Sequence, residues 1–217
     1  MPIIVDVRKQ IGRCARLGSM LIVDVEASGT EYHTHSIVSI GAVDFDNPDN
    51  RFYAECRIWD GAKIMDGALE VNGFTEAEIT DLSKKSEAEI VTEFLEWSQH
   101  VADRTITGQN PSFDRDFLRA AAGRAGLAWD LAYRTIDTHS LCWMHIIKQG
   151  NEPPVSTQHR RSSLDLDAVL NYCGIPEEPQ PHNALTGALC HAEVTSRLLY
   201  DRVLLPEFEH LPIPWLS

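Results

Sequence analysis

The chain has 217 residues, of which 43% are hydrophobic and 24% are charged, a balance typical of a globular protein with a substantial core. Its net charge of −13 argues against a protein that grips a long duplex, because phosphate contacts usually require a basic surface. An acidic chain can still meet phosphates through bound divalent cations and a few basic residues. Any nucleic-acid substrate is therefore expected to be short or single-stranded.

Cysteine usage and hydropathy bear on the compartment. The five cysteines are scattered and include no CxxC pair, which favours reduced thiols in a cytoplasm over a disulfide framework or a zinc site (Cys14, Cys56, Cys142, Cys173, Cys190). No apolar stretch has the length of a membrane span, and the N-terminus lacks the apolar segment of a secretory signal. We expect a cytoplasmic protein that makes no membrane contact.

The first predicted elements are strands. The N-terminal segment is ambiguous, and a short strand at residues 3–7 is one interpretation of it. An apolar run at residues 21–26 predicts a buried strand. Two further strands are predicted at residues 37–45 and 52–58, joined by the turn-rich segment DNPDN. The last three strands would form an antiparallel meander.

The later elements alternate between strand and helix. The prediction is a helix from about residue 87, a strand at 104–107, a helix at 111–125, a strand at 134–137 leading into a helix to about 148, and helices at 164–173 and from about 183 to 203. Three antiparallel strands followed by this alternation predict one mixed α/β sheet that is flanked by helices.

Two carboxylates stand in the apolar run LIVDVEASG. Asp24 and Glu26 are two positions apart, so in a strand they project from the same face. A buried strand normally excludes ionised groups, and two carboxylates there need a compensating cation. Hard oxygen ligands of this kind suit Mg²⁺ or Mn²⁺. The alternative is a strand end whose acids simply face water.

Two more polar residues stand at predicted helix starts. Asp114, in GQNPSFDRDF, lies in the first turn of a helix, where a carboxylate also complements the helix dipole without any further role. His182, in PHNALTG, stands where the last long helix begins, and a lone histidine there is usually a surface or capping residue. Neither residue indicates a site by itself.

The order of these motifs resembles a known family. VDVEASG is followed by SIVSIGAV, ALEVNGFTEAEI, N-x-x-F-D at residues 110–114, IDTHSL and H-x-A-L at residues 182–185. This arrangement is similar to the DEDDh 3′–5′ exonucleases, the DnaQ-like branch of the ribonuclease-H-like superfamily. The resemblance implies an exonuclease-like domain at residues 21–205, between an N-terminal extension at 1–20 and a C-terminal tail at 206–217.

The resemblance also implies a chemistry for these residues. Asp24, Glu26 and Asp114 would hold two Mg²⁺ or Mn²⁺ ions, which clamp the attacking and leaving oxygens of an in-line phosphodiester displacement. His182 would be the general base that takes a proton from the attacking water. The substrates would be the 3′ ends of single-stranded DNA or RNA, or short oligonucleotides.

Other residues would hold the terminal nucleotide in this resemblance. Backbone groups around Ala27, Ser28 and Gly29 would lie against it, with glycine permitting close approach. Asn110 belongs to the same expected nucleotide site. Phe74, in VNGFT, would stack on a terminal base, although it could equally be an ordinary core residue.

The chain departs from the family at one position. The pattern places a fourth acid five residues after the histidine, and here that residue is Gly187. A substitute ligand is one interpretation, and His191 lies one helical turn further along the same face, whereas Glu193 points away from it. A single firmly held metal, with the second recruited by substrate, is another. The third is impaired catalysis, in which case Gly187→Asp should raise activity.

Three hypotheses of function remain open on the sequence. The first is a divalent-metal-dependent 3′–5′ exonuclease. The second is a catalytically weakened or inactive relative that binds nucleic-acid ends or a protein partner, which Gly187 and the acidic charge favour. The third is a metalloenzyme of this fold that acts on a small phosphodiester. The sequence does not indicate an oligomeric state.

Overall fold

A computed structural model describes residues 18–216, so the predicted strand at residues 3–7 and most of the predicted N-terminal extension lie outside the described part. The core of the fold is one five-stranded sheet with the order β3-β2-β1-β4-β5. The strands are β1 (Leu21–Ala27), β2 (Ile37–Asp44), β3 (Arg51–Glu55), β4 (Ile106–Gly108) and β5 (Ile136–Asp137). β1 pairs antiparallel with β2 and parallel with β4, so the predicted mixed sheet is confirmed.

Seven α-helices lie among residues 18–216. They are α1 (Ala68–Asn72), α2 (Glu76–Ile79), α3 (Glu87–Ser98), α4 (Ser112–Arg124), α5 (Thr138–Lys148), α6 (Leu166–Tyr172) and α7 (Ala184–Tyr200). Two short 3-10 helices follow, Pro206–Phe208 and Pro214–Leu216. No helix among the described residues is long and apolar enough to cross a membrane.

Two predicted boundaries were wrong, the first because of tertiary pairing and the second because of the local backbone conformation. The third strand was predicted to reach residue 58 but ends at Glu55, because the Arg57 amide donates to the Lys85 carbonyl oxygen instead of continuing the ladder with β2. The last helix was predicted to reach about residue 203 but ends at Tyr200, since Asp201 adopts a left-handed conformation with φ of 53°.

Short helices α1 and α2 were not predicted at all. Both lie within the ALEVNGFTEAEI segment, and each is too short to show a helical period in the sequence. Local capping defines α2 instead, because the Thr75 side chain accepts from the Glu78 amide while the Glu78 carboxylate accepts from the Thr75 amide.

The two faces of β1 pack against different layers. Leu21, Val23 and Val25 belong to the main apolar core, which α3 and α4 cover. Ile22 faces the other way and packs with Ala188 of α7. Since side chains alternate along a strand, Asp24 and Glu26 lie on the α7 face of the sheet.

A glycine lets α7 approach the sheet closely. A Cβ atom added at Gly41 of β2 would collide with the backbone of Ala184, the first residue of α7. The absence of a side chain at this point brings the N-terminal turn of α7 onto the sheet beside the two β1 acids.

A buried ion pair ties α7 to the C-terminal segment. The Arg197 guanidinium donates to Glu193 at 2.7 Å, and both side chains are 0% exposed. The second Glu193 oxygen accepts from the amides of Leu204 and Leu205, at 2.9 and 3.0 Å. Glu193 therefore holds the fold together and does not belong to the acids around β1.

Candidate active site

Asp24 and Glu26 project from β1 toward the first turns of α7. A Cβ atom added at Gly187 would lie 2.8 Å from Cγ of Asp24. Both side chains are partly accessible. Neither carboxylate accepts a hydrogen bond or forms an ion pair with any residue from 18 to 216.

Asp114 approaches these acids from α4, which packs on the opposite face of β1. It lies in the first turn of α4 and is 2% exposed. Its Oδ1 atom accepts a 2.9 Å hydrogen bond from the Val25 amide, between the two β1 acids in the chain. A contact across 89 positions thus places the third predicted acid at the strand that carries the other two.

The surroundings of these three acids disfavour their ionised forms. Burial first, then the charges of Asp114, Glu26 and Glu178, raise the pKa of Asp24 well above its usual value. Burial, with repulsion from Glu178 and Asp114, raises the pKa of Glu26 to about 8. Burial also raises the pKa of Asp114 to about 7, although the Val25 hydrogen bond acts in the opposite direction.

The carboxylates of Asp24, Glu26 and Asp114 are suitable ligands for a hard divalent cation, but they do not yet have the geometry of a bound metal site. Among residues 18–216, no three His, Cys, Asp or Glu side chains already stand in a metal-binding arrangement. The acids nevertheless repel one another, and two of them have no partner, which is the situation that a bound cation relieves. Asp24, Glu26 and Asp114 are the residues that would hold it.

His182 lies in the loop before α7. The His182 amide donates to the Val71 carbonyl oxygen of α1 at 2.9 Å, and the next residue, Asn183, caps α7 through its side chain. The imidazole is partly exposed and makes no hydrogen bond with the described residues. Its backbone is therefore held while its ring is free to meet another molecule.

Glu178 is an acid near the site that the sequence did not single out. It lies four residues before His182, is only 7% exposed and interacts electrostatically with Asp24, Glu26 and His182. The sequence signal was the pair of acids in PEEPQPH, but their spacing from the histidine differs from the family pattern. Only the path of the loop brings Glu178 to β1.

The structure places His191 in the interior under α7. It is 1% exposed, and its Nδ1 atom would lie 3.1 Å from a Cβ added at Gly108. Neither ring nitrogen makes a hydrogen bond of good geometry. Burial lowers the pKa of His191 to about 4, partly offset by the nearby Val23 carbonyl oxygen. The His191 ring lies against backbone groups of β1 and β4.

The expected nucleotide-binding residues after β1 already serve the fold. The Ala27 carbonyl oxygen accepts from Asn72 at 3.2 Å. Ser28 is fully buried, and its hydroxyl donates to Lys63 and accepts from the Ser36 amide. A Cβ atom at Gly29 would collide with the His35 ring, so intramolecular packing already requires this glycine.

The two remaining expected contacts are more accessible. Phe74 is partly exposed and lies outside the apolar core clusters, with Lys84 Nζ 5.2 Å from its ring centroid. Asn110 is exposed and takes a left-handed conformation with φ of 50°. Its amide donates to Asp137 at 3.2 Å, which fixes the turn between β4 and α4.

A groove of about 610 Å³ lies between the loop after β1 and the later turns of α4. Its lining includes three aromatic or imidazole rings and two arginines (Tyr32, His33, Trp59, Arg119, Arg124). Arg124 lies over the Trp59 ring at 5.1 Å and also pairs with Glu87. Arg119 is exposed and has no ion pair with any residue of the described part. Sequence reasoning did not identify this groove.

The sheet order and the acids on β1 and α4 define a ribonuclease-H-like exonuclease fold. Residues 19–199 match the Rv2179c-like family, described as the 3′-5′ exoribonuclease Rv2179c-like domain. The chain therefore belongs to this family. The predicted fold is confirmed, and so is the prediction that the chain belongs to a family of 3′–5′ exonucleases. No curated protein matches the sequence.

Solved structures show the same fold at low sequence identity. E. coli Exonuclease I in complex with a dT13 oligonucleotide has a TM-score of 0.66 and 18% identity, and the match covers 83% of this chain and 41% of that chain. A product-bound exonuclease I structure has a TM-score of 0.66 and 19% identity, covering 85% of this chain and 43% of that chain. This chain thus spans less than half of the length of those proteins.

Proposed function

We propose that this protein is a divalent-metal-dependent 3′–5′ exonuclease that hydrolyses single-stranded RNA or DNA ends or short oligonucleotides. The observation that carries the proposal is the meeting of Asp24, Glu26 and Asp114 at one end of β1, where their charges repel and two of them lack a partner. His182 lies on the neighbouring loop with a free imidazole.

Each residue has a defined role in this mechanism. Asp24, Glu26 and Asp114 would hold Mg²⁺ or Mn²⁺ through carboxylate oxygens. A divalent cation held there would supply stabilisation of the charge that develops in the in-line displacement. His182 accepts the proton of the attacking water at a ring nitrogen, and the hydrogen bond from its backbone amide to Val71 holds the loop that carries it. Phe74 and Asn110 border the terminal nucleotide.

The substrate class is supported by the groove and by the relatives. The family description names an exoribonuclease, and the similar Exonuclease I structures contain dT13 or dA16 oligonucleotides. Rings beside an unpaired arginine suit a single strand, whose bases stack and whose phosphates need a cation. The net charge of −13 supports binding of a few nucleotides of a single strand rather than movement along a duplex.

Two further points belong to this proposal. The four described cysteines are free and buried, which supports a cytoplasmic setting (Cys56, Cys142, Cys173, Cys190). The second candidate function is a weakened relative that binds nucleic-acid ends or a protein partner, and the specific observation that favours it is Gly187 in place of the fourth family acid.

The test is product analysis on matched oligonucleotides with Mn²⁺, Mg²⁺ or EDTA. Single-stranded RNA and DNA carry the label at the 5′ end, and a parallel set has a blocked 3′ terminus. We expect a ladder that shortens from the 3′ end, only with a divalent cation and only on the open terminus. Binding of the oligonucleotides without any shortening would favour the second candidate.

Substitution of Arg119 tests the path of the strand. Arg119→Ala should raise KM by about fivefold, on the order of 1 kcal/mol for an exposed ionic contact, with little change in kcat. The slope of log KM against log salt should also fall by about 0.7, the value for one lost phosphate contact on a single strand. Lys85→Ala is the control, because Lys85 lies outside the groove and pairs with Glu93. An unchanged salt slope would remove Arg119 from the strand's path.

A further inference from the structure

Gly187 is not an open place that a carboxylate could simply fill. A Cβ atom at this position would collide with Oδ2 of Asp24 and lie 2.8 Å from its Cγ. Asp24 therefore occupies the space in which any side chain at position 187 would begin. The Asp24 carboxylate packs directly against the helix backbone.

The other nearby polar residues are engaged elsewhere. Glu193 is paired with Arg197 in the interior. His191 lies against Gly108 and the Val23 carbonyl oxygen. Asp137 accepts from the amides of Asn110 and His139, as the cap of α5. Glu193 and Asp137 cannot replace the family acid without breaking their present contacts, and the His191 ring makes no hydrogen bond of good geometry with residues 18–216 but is buried against the backbone of β1 and β4.

Glu178 lies in the loop that leads directly into α7 and is also buried. The Asn183 amide donates to its Oε1 atom, and Asn183 lies one helical turn before Gly187, the residue against which Asp24 packs. Glu178 is 7% exposed, and it interacts electrostatically with both β1 acids. Its one hydrogen bond is a long one, 3.4 Å from the Asn183 amide to Oε1, and it has no arginine or lysine partner among the described residues, only an electrostatic interaction with His182. A buried carboxylate held among other carboxylates needs a cation.

The loop that carries Glu178 is anchored at several points. The His182 amide donates to the Val71 carbonyl oxygen, and Pro181 packs against Gly73, where a Cβ would lie 2.6 Å from the proline ring. The Asn183 side chain caps α7 immediately afterwards. Glu178 is therefore presented by a defined backbone and not by a free segment.

We propose that Glu178 is the fourth metal-binding carboxylate of this chain, and that it reaches the site from the loop before α7 in place of the helix position held by Gly187. This inference rests on the proposed function, since it assigns a ligand to the cation that the exonuclease would use. It also places the fourth acid and the general base, His182, on the same loop. Metal binding and positioning of the base are then linked.

Calorimetric titration of the full-length protein with Mn²⁺ tests the assignment without any measurement of activity. Glu178→Gln keeps the shape and the Asn183 hydrogen bond but removes the charge, and should weaken Mn²⁺ binding by about tenfold or more. Glu177→Gln is the matched control, because Glu177 is the adjacent acid, is exposed and has no partner within residues 18–216. It should bind Mn²⁺ like the wild type.

Thermal unfolding in EDTA separates loss of the ligand from loss of the fold. Glu178→Gln should unfold at the same temperature as the wild type or higher, and should gain less stabilisation from added Mn²⁺. Wild-type Mn²⁺ affinity in Glu178→Gln would overturn the proposal, even if the pH dependence of hydrolysis changed. That outcome would leave Glu178 as a partner of His182 alone.

The Gly187→Asp variant provides a second test of the assignment of Glu178. We expect no gain in Mn²⁺ affinity or activity, because the new side chain displaces Asp24. A gain in either would show that position 187 is a true defect and would overturn the assignment of Glu178. The two proposals fail separately: absence of metal-dependent trimming by the wild type contradicts the exonuclease function, whereas Mn²⁺ affinities reveal the fourth ligand whether or not trimming occurs.

Discussion

Replacing Asp24 by Asn should abolish hydrolysis while making the metal-free protein more stable. The activity loss should reach at least about 10²-fold, because one of the groups that support charge in the transition state is removed. The stability gain follows from the same site, since Asp24 is held near three other acids and has no partner in the described structure. A gain of about 1 kcal/mol would raise the melting temperature by about 2–4 °C at this chain length.

The gain in stability of the metal-free Asp24→Asn variant should depend on pH in a defined direction. The folded pKa values of Glu26 and Asp114 are about 8 and about 7, above their ordinary values of 4.5 and 3.8. Folding therefore favours the protonated acids. Their contribution to the free energy of unfolding is complete below about pH 4 and is lost as the pH rises toward 8. Asp24→Asn should stabilise the metal-free protein most near pH 8, and added Mn²⁺ should stabilise the wild type most there.

Melting curves in EDTA and in Mn²⁺, at several pH values, measure both effects. Glu96→Gln is the control, because Glu96 is an exposed acid of α3 without a side-chain partner among the described residues. It should change neither activity nor the pH dependence. If Asp24→Asn lowered the melting temperature in EDTA at pH 8, repulsion between the carboxylates would not destabilise the metal-free fold.

Replacing Glu193 by Ala should destabilise the fold by about 3–5 kcal/mol, the cost of leaving one partner of a buried ion pair uncompensated. The Arg197 guanidinium would keep its carbonyl acceptors but lose the one charge that balances it. The amides of Leu204 and Leu205 would lose their acceptor as well. Urea unfolding followed by fluorescence measures the change in the free energy of unfolding.

Two comparisons sharpen the result for Glu193. Glu93→Ala removes the partner of Lys85 from an exposed ion pair and should cost less than about 1 kcal/mol. Glu193→Met combined with Arg197→Leu should recover part of the loss, because no buried charge remains unpaired, while the Leu204 and Leu205 amides still lack their acceptor. A cost for Glu193→Ala as small as that for Glu93→Ala would show that water compensates the arginine. Mn²⁺ affinity of the folded fraction should be unchanged.

Local patterns in the sequence predicted much of the scaffold. Alternation in LIVDVEASG placed Asp24 and Glu26 on one face of a strand, because a strand has only two faces. Helical spacing from Glu87 predicted α3, and the order of the motifs indicated the exonuclease family. These features depend on neighbours within a few residues or on linear order, which a sequence displays directly.

Contacts between residues that are far apart in the sequence determine the arrangement of the site itself. The hydrogen bond from Val25 to Asp114 joins residues 89 positions apart, and the meeting of Glu178 with Asp24 depends on the path of a loop. Spacing along the chain indicates neither contact. Gly187 was interpreted from the sequence as a missing ligand, whereas the structure shows backbone against which Asp24 packs.

The sequence by itself thus determined the sheet, the family and the three acids that point to a cation, because each follows from local periodicity or motif order. Only the tertiary structure shows that Asp24 lies against the backbone at position 187 and that a further acid, Glu178, interacts with the acids of β1. Packing of α7 onto the sheet sets Gly187 against Asp24, and contacts with Val71 and Gly73 anchor the loop before α7. Such contacts arise only when separate elements are packed together, so no window of sequence contains them.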